Sequence, residues 1–235
     1  ILLLHLAGCS RVISLSSYLG SDLNVFPASA ELAPFDPRKP RWQNNLELAK
    51  LVSTKLDGPF SPPTITHLPN GSPLAEHKEV GLIPIAPWAG KLWPSDRWRK
   101  LMAELEKKDC MVTALHGPGQ AEATHKILGP SAKMRECDSI DNWATTLTSF
   151  HSIISVDTGP MHLCGALDVP VIGLFGQGLL PLWAPSGDRS ITLHHQDNPD
   201  FRPCHPIEAN APEGARWMEK ITVEEVLAAV TKQIS

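Results

Sequence analysis

The sequence predicts an α/β fold in which a parallel sheet carries helices on both faces. From about residue 80 onward, short apolar strands alternate with helices of about ten residues, the pattern of strands joined by crossover helices. The chain has 235 residues, of which 42% are hydrophobic and 20% charged, as in an ordinary globular protein with a sizeable core. Its net charge of −4 argues against a protein that binds nucleic acid by bulk electrostatics.

The first 75 residues are weakly patterned. They predict a strand at 11–15, a loop at 27–40 with four prolines, and a helix at 42–55. A second loop follows at 56–69, with a short strand at 64–67. This part of the chain alone does not indicate a function.

From residue 80 the elements are better defined. Helix spacing is clearest after Pro94, where Trp98, Leu101, Met102 and Leu105 repeat at i, i+3, i+4 and i+7. The predicted strands are 82–86, 110–115, 151–156, 169–175 and 190–193, and the helices between them are 94–105, 121–128, 139–147 and 159–167.

Two helix starts carry specific signals. Ser139 opens a helix whose predicted inner face is Ile140, Trp143, Ala144 and Leu147. The last helix begins with the capping-box pattern Thr222-Val-Glu-Glu225, and its predicted inner face is Val223, Val226, Leu227 and Val230.

The cysteines indicate a reducing compartment. The chain has five, widely spaced and without a CxxC pair, so we expect free thiols. The favoured interpretation of residues 1–10 is a buried helix that ends at Gly8. The alternative is an exported lipoprotein, because Leu6-Ala7-Gly8-Cys9 matches the pattern before a lipidated cysteine.

The strongest candidate site is the segment 153–163, IISVDTGPMHL. Asp157 follows an apolar strand, Thr158 and Gly159 form a turn, and Pro160 suits the first turn of a helix. The free amides and dipole of a helix N-terminus favour a phosphate, and His162 lies one turn into the helix. The functional interpretation is therefore a diphosphate site. The alternative is that Asp157 only caps the helix and His162 is a partly buried surface residue.

Two further segments follow strands. Lys91 lies in the loop 86–94, where an ammonium can pair with a phosphate, although a solvated lysine has the same pattern. Trp88 and Trp93 in that loop are interpreted as packing residues. Glu122 follows the glycine-rich turn 116–120, where a carboxylate can accept hydrogen bonds from ribose hydroxyls or from a base amine.

Other chemistries have weaker support. His194, His195, Cys204 and His205 fit no standard spacing of metal ligands, so no metal site is predicted. The chain also lacks a G-x-S-x-G nucleophile motif.

Several segments together resemble a known family. Ser155-Val-Asp-Thr-Gly-Pro-Met-His-Leu163 is similar to the signature of glycosyltransferase family nine, the bacterial lipopolysaccharide heptosyltransferases. The resemblance extends over about residues 80 to 230, through 91–94 with Trp98 and through 166–171, 173–176, 202–205 and 221–226.

The resemblance implies a GT-B architecture of two Rossmann-like domains facing a cleft. Residues 1–75 would be part of the N-terminal, acceptor-side domain, and 76–235 a complete C-terminal domain that binds the nucleotide sugar. Carried over by position, Lys91 would contact the donor phosphate or sugar, Asp157 the sugar hydroxyls, and Glu122 the nucleoside. Thr158, Gly159 and His162 would hold the diphosphate.

The resemblance also implies a reaction and a location. The donor would be ADP-heptose, the acceptor a lipid-linked saccharide of the lipopolysaccharide core, and the transfer inverting, without metal or cofactor. The protein would be cytoplasmic, with peripheral contact to the inner face of the cytoplasmic membrane.

One expected part of the family pattern is missing from the sequence. In the family, the general base is an aspartate near the start of the N-terminal domain, and no such segment is found here, so no catalytic residue is assigned. The resemblance therefore implies that about a hundred N-terminal residues are absent, which is near the usual size of one domain. The alternative function is therefore a non-catalytic fragment that binds a nucleoside diphosphate sugar. A second departure is that Ala86 and Pro87 stand where the family often has hydroxyl residues.

Overall fold

The computed structural model describes residues 13–15, 31–36, 38–53, 61–62, 64–65, 77–176, 178, 180–196 and 212–235. The chain divides into two compact units. The smaller comprises Ile1–Ser61 and Leu179–Trp183, and the larger comprises Pro62–Gly178 and Ala184–Ser235. The domain boundary between residues 75 and 76 stays a prediction.

The smaller unit contains a pair of parallel strands and a helix. Strand β1 (Ile13–Leu15) pairs with β2 (Glu31–Ala33), and helix α1 (Arg41–Lys50) packs on both. The short helix Leu180–Trp183 belongs to the same unit. The Arg41 guanidinium lies 5.8 Å from the ring centroids of both Phe35 and Trp183, within the range of a cation–π contact.

Three predictions for residues 27–67 differ from the structure in detail. Strand β2 falls inside the segment predicted as a loop, because its pairing with β1 is a tertiary contact that local spacing does not show. Helix α1 ends at Lys50 rather than at 55, in a turn where the Val52 amide donates to the Ala49 carbonyl at 2.9 Å. Of the predicted strand at 64–67, Thr64 and Ile65 are not in a strand, and the other two residues lie outside the described chain.

The larger unit is built on a six-stranded parallel sheet. Its strands are β3 (Lys78–Ile83), β4 (Cys110–His116), β5 (Met134–Glu136), β6 (Ser152–Val156), β7 (Val171–Phe175) and β8 (Ser190–His194). Its helices are α2 (Ser95–Glu106), α3 (Ala121–Leu128), α4 (Ile140–Leu147), α5 (Gly159–Ala166), α7 (Pro212–Lys220) and α8 (Val223–Ile234), where α6 is the short helix of the smaller unit.

The order of the strands reverses once. Across the sheet the order is β5-β4-β3-β6-β7-β8, so the chain builds outward from β3 and then outward again from β6. This is the doubly wound arrangement, which opens a crevice where the two halves diverge, outside the carboxyl ends of the central strands. The predicted α/β class with a parallel sheet is confirmed.

Alternating residues of the strands pack into the apolar cores on opposite faces of the sheet. Val80 and Leu82 of β3 belong to a buried cluster with Leu101 and Leu105 of α2 and with the inner face of α8. Gly81, between them, faces the other side, where a Cβ atom at its position would meet Ile153 and Phe150. On that other side a Cβ atom at Gly173 of β7 would lie 2.9 Å from the sulfur of Met161 in α5. Helices therefore cover both faces of the sheet, as the near-continuous apolar strands predict.

Prolines explain two strand limits that were predicted at other residues. β3 runs from Lys78 to Ile83 rather than over 82–86, because Pro84 has no amide to continue the ladder. β7 begins at Val171 rather than at 169 for the same reason, since Pro170 precedes it. β5 was not predicted, being a three-residue edge strand with two exposed residues.

The helix predictions are largely confirmed, with one exception in α4. The capping box is present, with the Thr222 hydroxyl accepting from the Glu225 amide at 3.2 Å and the Thr222 amide donating to the Glu225 carboxylate at 2.7 Å. Ala144 and Leu147 of α4 are buried, whereas Ile140 is 73% exposed and not a core residue. Ile140 is the first residue of α4.

Three cysteines lie among the described residues, and all are buried free thiols: Cys110, Cys137 and Cys164. Burial raises the pKa of the Cys164 thiol, so it stays protonated and packs as an apolar group. Cys9 and Cys204, with the predicted helix ending at Gly8, lie outside the described residues. No described helix has both the length and the apolar character needed to cross a membrane.

Helix α5 packs closely on the loop before β8, and this contact needs a glycine. A Cβ atom at Gly165 would lie 2.9 Å from the Ser186 amide nitrogen and 3.2 Å from that of Gly187. We expect Gly165→Ala to lower the free energy of unfolding by about 1–3 kcal/mol, because backbone must shift to admit the methyl group.

The measurement is urea unfolding of both proteins, with Gly159→Ala in the same helix as a control. A Cβ atom at Gly159 meets nothing within 4 Å, so that variant is expected to unfold like the parent protein. Equal stability of the Gly165 and Gly159 variants would contradict this account of the contact.

Candidate functional site

Two predicted site residues meet at the carboxyl ends of the two central strands. Asp157 directly follows β6, and Lys91 lies eight residues after the end of neighbouring β3, in the 3₁₀ turn Ala89–Lys91. The reversal of strand order between β3 and β6 sends their following segments apart and leaves room between them. The topology thus brings together residues 66 positions apart in the chain.

A buried ion pair joins these residues. The Lys91 ammonium lies 2.5 Å from Oδ2 of Asp157, whose side chain is only 4% exposed. Oδ2 is fully buried and has no other polar partner among the described residues. A carboxylate removed from water needs such a compensating charge, because the desolvation of an unpaired ion is expensive.

The turn that carries Lys91 is fixed by packing and by a hydrogen bond of Trp93. Helix α7 packs against the 3₁₀ turn, and Trp93, just after it, donates its indole N–H to the Ile221 carbonyl at 3.0 Å. The Lys91 side chain is 17% exposed, and its ammonium lies 4.8 Å from the centroid of the Trp88 ring. Lys91 is therefore mostly buried and contacts Asp157 and Trp88, so it is not the solvated lysine of the alternative interpretation.

The N-terminus of helix α5 forms the next wall of the site. Thr158 precedes the helix in an extended conformation, and its side chain makes no capping hydrogen bond. Gly159, the first helical residue, is exposed and faces open space where a side chain would be. His162 lies one turn further, with Nε2 3.6 Å from Oδ1 of Asp157. Asp157 thus contacts cationic or polar side chains with both carboxylate oxygens and does not cap the helix.

A glycine loop after β7 passes over Asp157. A Cβ atom at Gly178 would lie 3.4 Å from Oδ2 of Asp157, and the φ angle of Gly178 is +148°, which favours glycine. The Gln196 side-chain amide donates to the carbonyls of Gly176 at 3.0 Å and Gly178 at 2.7 Å. Gln196 thus fixes the loop that approaches the carboxylate.

A cavity of about 390 Å³ lies beside the helix N-terminus. Gly159 and Pro160 form one wall, and apolar side chains of Ile140, Trp143 and Leu163 form others. The Cys137 thiol also lines it, and burial raises the pKa of that thiol, so the cysteine contributes an uncharged surface. The exposed position of Ile140, unexpected for a core residue, is explained by its place on this cavity.

The sequence-predicted residues divide into two groups. Lys91, Asp157, Thr158, Gly159 and His162 come together at the crevice. Glu122 lies in the first turn of α3, after β4, and is exposed, and the ion pairs around Asp157 do not include it.

Gln196 and Gly178 are not among the predicted residues. A lone glutamine after a strand carries no signal, whereas the Gly-x-Gly after β7 could have indicated a close backbone approach.

The histidines near residue 195 have a structural role. His195 Nε2 lies 2.9 Å from Oε1 of Glu225, the capping-box carboxylate of α8. Burial, and secondarily neighbouring His195, lowers the pKa of His194. Within the part of the chain that the structure describes, no three His, Cys, Asp or Glu side chains cluster as metal ligands would. Cys204 and His205 lie outside that part.

The fold and site together define a class of protein. A doubly wound parallel sheet with a helix N-terminus, a lysine and a histidine at its strand-order reversal is typical of α/β proteins that bind nucleotides or other phosphate-bearing ligands. Sequence comparison then identifies the family. The model of glycosyltransferase family 9 (heptosyltransferase) matches residues 29–208, so the chain belongs to this family.

Curated relatives match part of their own length. The chain is 25% identical over 166 residues to lipopolysaccharide heptosyltransferase 3 of Escherichia coli K12, covering 65% of this chain and 45% of that protein. It is 30% identical over 92 residues to lipopolysaccharide heptosyltransferase 1 of Pseudomonas aeruginosa, covering 38% of this chain and 26% of that protein. The chain thus spans less than half the length of either relative.

Solved structures show the same fold. A family 9 glycosyl transferase from Veillonella parvula superimposes with a TM-score of 0.69 at 14% identity, covering 96% of this chain and 67% of that one. An E. coli heptosyltransferase solved with ADP superimposes with a TM-score of 0.59 at 19% identity, covering 88% and 67%. The predicted resemblance to family nine and to GT-B heptosyltransferases is confirmed.

The Asp157–Lys91 pair predicts an asymmetry in stability. Lys91→Met leaves the Asp157 carboxylate buried without its cation, and we expect it to lower the free energy of unfolding by about 1–3 kcal/mol. Asp157→Asn keeps the side-chain shape and leaves an ammonium that reaches solvent, so we expect a smaller loss. Urea unfolding of the two variants measures the difference.

Lys100→Met is the matched control. Lys100 also forms a short ion pair, at 2.7 Å to Glu224, but both side chains are more than half exposed. Exposed pairs contribute little to stability, so this variant is expected to unfold nearly as the parent protein does. If Lys91→Met were no more harmful than Lys100→Met, the Asp157 carboxylate would not depend on its lysine.

Proposed function

We propose that this chain provides the donor site of a glycosyltransferase that takes a heptose, or a related sugar, from an ADP-activated donor. The acceptor is a saccharide of the lipopolysaccharide core, and the transfer is inverting and needs no metal. The observation that carries the proposal is the Asp157–Lys91 ion pair at the N-terminus of α5, with His162 beside it.

The diphosphate of the donor fits the helix N-terminus. Backbone amides there, at Gly159 above all, approach a ligand without a side chain in the way, and the helix dipole favours an anion. Lys91 and His162 add donors from two sides of the same place. As the bond to the sugar breaks, negative charge builds up on the leaving ADP, and these groups stabilise it, which is the work a metal ion would otherwise do.

The remaining parts of the donor have candidate places. The cavity beside Gly159 and Pro160 has apolar and aromatic walls, of which Trp143 is one, and its volume of about 390 Å³ suits a nucleoside. Asp157 would accept hydrogen bonds from sugar hydroxyls, and Glu122 would contact the nucleoside, as the family resemblance implies.

The transfer itself is a displacement at the anomeric carbon. A base takes the proton of an acceptor hydroxyl, whose oxygen attacks the anomeric carbon while the bond to the ADP oxygen breaks. The names of two curated relatives, both lipopolysaccharide heptosyltransferases, support the choice of sugar and acceptor. Because such an acceptor is lipid-linked, the proposal includes peripheral contact with the inner face of the cytoplasmic membrane.

A second candidate is donor binding without transfer. Asp157 is tied to Lys91 and lies next to His162, so its carboxylate is poorly placed to act as the base. The assay that separates the candidates measures ADP release from ADP-heptose with and without a heptose-deficient lipopolysaccharide acceptor. Acceptor-dependent release supports transfer. Binding of ADP-heptose without such release supports the second candidate, and absence of binding rejects both.

His162→Ala tests the diphosphate site. We expect ADP binding to weaken by about 1–3 kcal/mol, because a donor to the charged diphosphate is lost. Calorimetric titration with ADP and with ADP-heptose is the measurement. His77→Ala is the control, since His77 is exposed and precedes β3 at the opposite end of the sheet. Unchanged affinity after the His162 and Asp157→Ala substitutions would rule out this location.

Lys91→Met tests the charge of the site. The ammonium attracts the diphosphate electrostatically, so the dependence of ADP affinity on salt concentration should become less steep in the variant. The titration is repeated between low and physiological ionic strength, with Lys100→Met as the charge-matched control. A slope as steep as that of the parent protein would show that Lys91 does not contact the phosphates.

A further inference from the structure

We propose that Trp88 is a positioning residue for Lys91: the face of its indole ring holds the ammonium at the carboxyl edge of the sheet. The contact between the ring and the ammonium involves this chain alone. Its consequence for the binding of a nucleoside diphosphate rests on the function proposed above.

The contact has the geometry of a cation–π interaction. The Lys91 ammonium lies 4.8 Å from the ring centroid, within the distance of about 6 Å at which the quadrupole of an indole attracts a cation. The two residues are three positions apart across the 3₁₀ turn, where the Lys91 amide donates to the Trp88 carbonyl at 3.0 Å. The turn therefore sets the ring and the ammonium on the same side of the loop.

Trp88 is not needed in a core. Its side chain is 38% exposed, whereas Trp93 and Trp98 of the same region are buried against each other at 5.0 Å between ring centroids. A large aromatic side chain left half in water at the crevice is better explained by its contact with Lys91 than by packing.

The ring holds Lys91 without neutralising it. Asp157 also holds the ammonium, but its negative charge cancels that of the lysine toward an incoming anion. The indole carries no net charge, so its contact with the ammonium does not further reduce the attraction of the ammonium for a diphosphate. The two contacts together fix Lys91, whose flexible stem would otherwise have many rotamers.

The loop depends on this one cation. Between the end of β3 and Lys91, residues 84–90 read PIAPWAG and contain no hydroxyl, carboxylate or amide side chain. Apart from the backbone and the indole N–H, Lys91 is thus the first side chain of the loop able to donate a hydrogen bond to a phosphate. Its position matters correspondingly more here than in a loop that also has hydroxyl donors.

The contact itself is tested without any ligand. In the full chain with ¹³C-labelled lysine, NMR is expected to show the Lys91 side-chain protons shifted upfield by the ring current of Trp88. The shift should disappear in Trp88→Leu and persist in part in Trp88→Phe, and Lys91→Arg serves to assign the signal. A Lys91 signal at the same position in the parent protein and in Trp88→Leu would overturn the proposal, whatever the protein binds.

The consequence is tested with ADP as the probe. Trp88→Leu should weaken ADP binding about three- to tenfold, the range expected for the loss of a partly exposed cation–π contact, and Trp88→Phe should weaken it less. Fluorinated tryptophans incorporated only at position 88 should weaken ADP binding progressively as the number of fluorine atoms increases, because fluorine withdraws charge from the ring face at nearly constant ring size. Met111→Ala, which changes an exposed apolar side chain near the amino end of β4, is the control and should bind as the parent protein does.

A double-mutant cycle separates positioning from direct contact with the ligand. In the Lys91→Met background, Trp88→Leu should have no further effect on ADP affinity, because the ring then has no ammonium to hold. An equal loss in both backgrounds would mean that the indole touches the nucleotide itself and would overturn the positioning role. A parent protein that binds no ADP would count against the proposed function, while the NMR result would still decide the Trp88–Lys91 contact.

Discussion

The reversal of strand order between β3 and β6 is the constraint on which the site depends. Neighbouring parallel strands whose following segments leave in opposite directions create a crevice at their carboxyl ends. Lys91 and Asp157 stand at those two ends, far apart in the chain and 2.5 Å apart in space. The crevice gives a ligand access to the helix N-terminus next to the same pair. The position of the site is therefore a property of the topology, and side chains supply its chemistry.

Within that crevice the Asp157 carboxylate organises its neighbours. It is almost wholly buried, so it requires a cation, and Lys91 and His162 approach its two oxygens. Gly178 passes close to it with a backbone angle that favours glycine, held by Gln196. In the proposed anion site, Lys91 and His162 are thus already held near the helix N-terminus, and such preorganisation lowers the entropy lost on binding.

Much of the fold could be predicted because its signals are local. The i, i+3, i+4 spacing of α2, the capping box at Thr222 and the apolar strand before Asp157 each depend only on residues near in the chain. Predictions failed where partners are distant. Strand β2 exists through its pairing with β1, β5 through its pairing with β4, and Ile140 lies on a cavity that α5 helps to form.

The sequence by itself determined the α/β class, the family resemblance and the residues of the strongest candidate site, because Asp157, Thr158, Gly159 and His162 lie in one strand–turn–helix segment. Only the tertiary structure decided that Lys91 pairs with Asp157, that Trp88 faces the Lys91 ammonium, and that Gln196 fixes the glycine loop. The physical reason is that an ion pair, a ring contact or a cavity is set by distances in space. The sequence specifies which side chains follow each strand, and the order of the strands in the sheet decides which of these side chains meet.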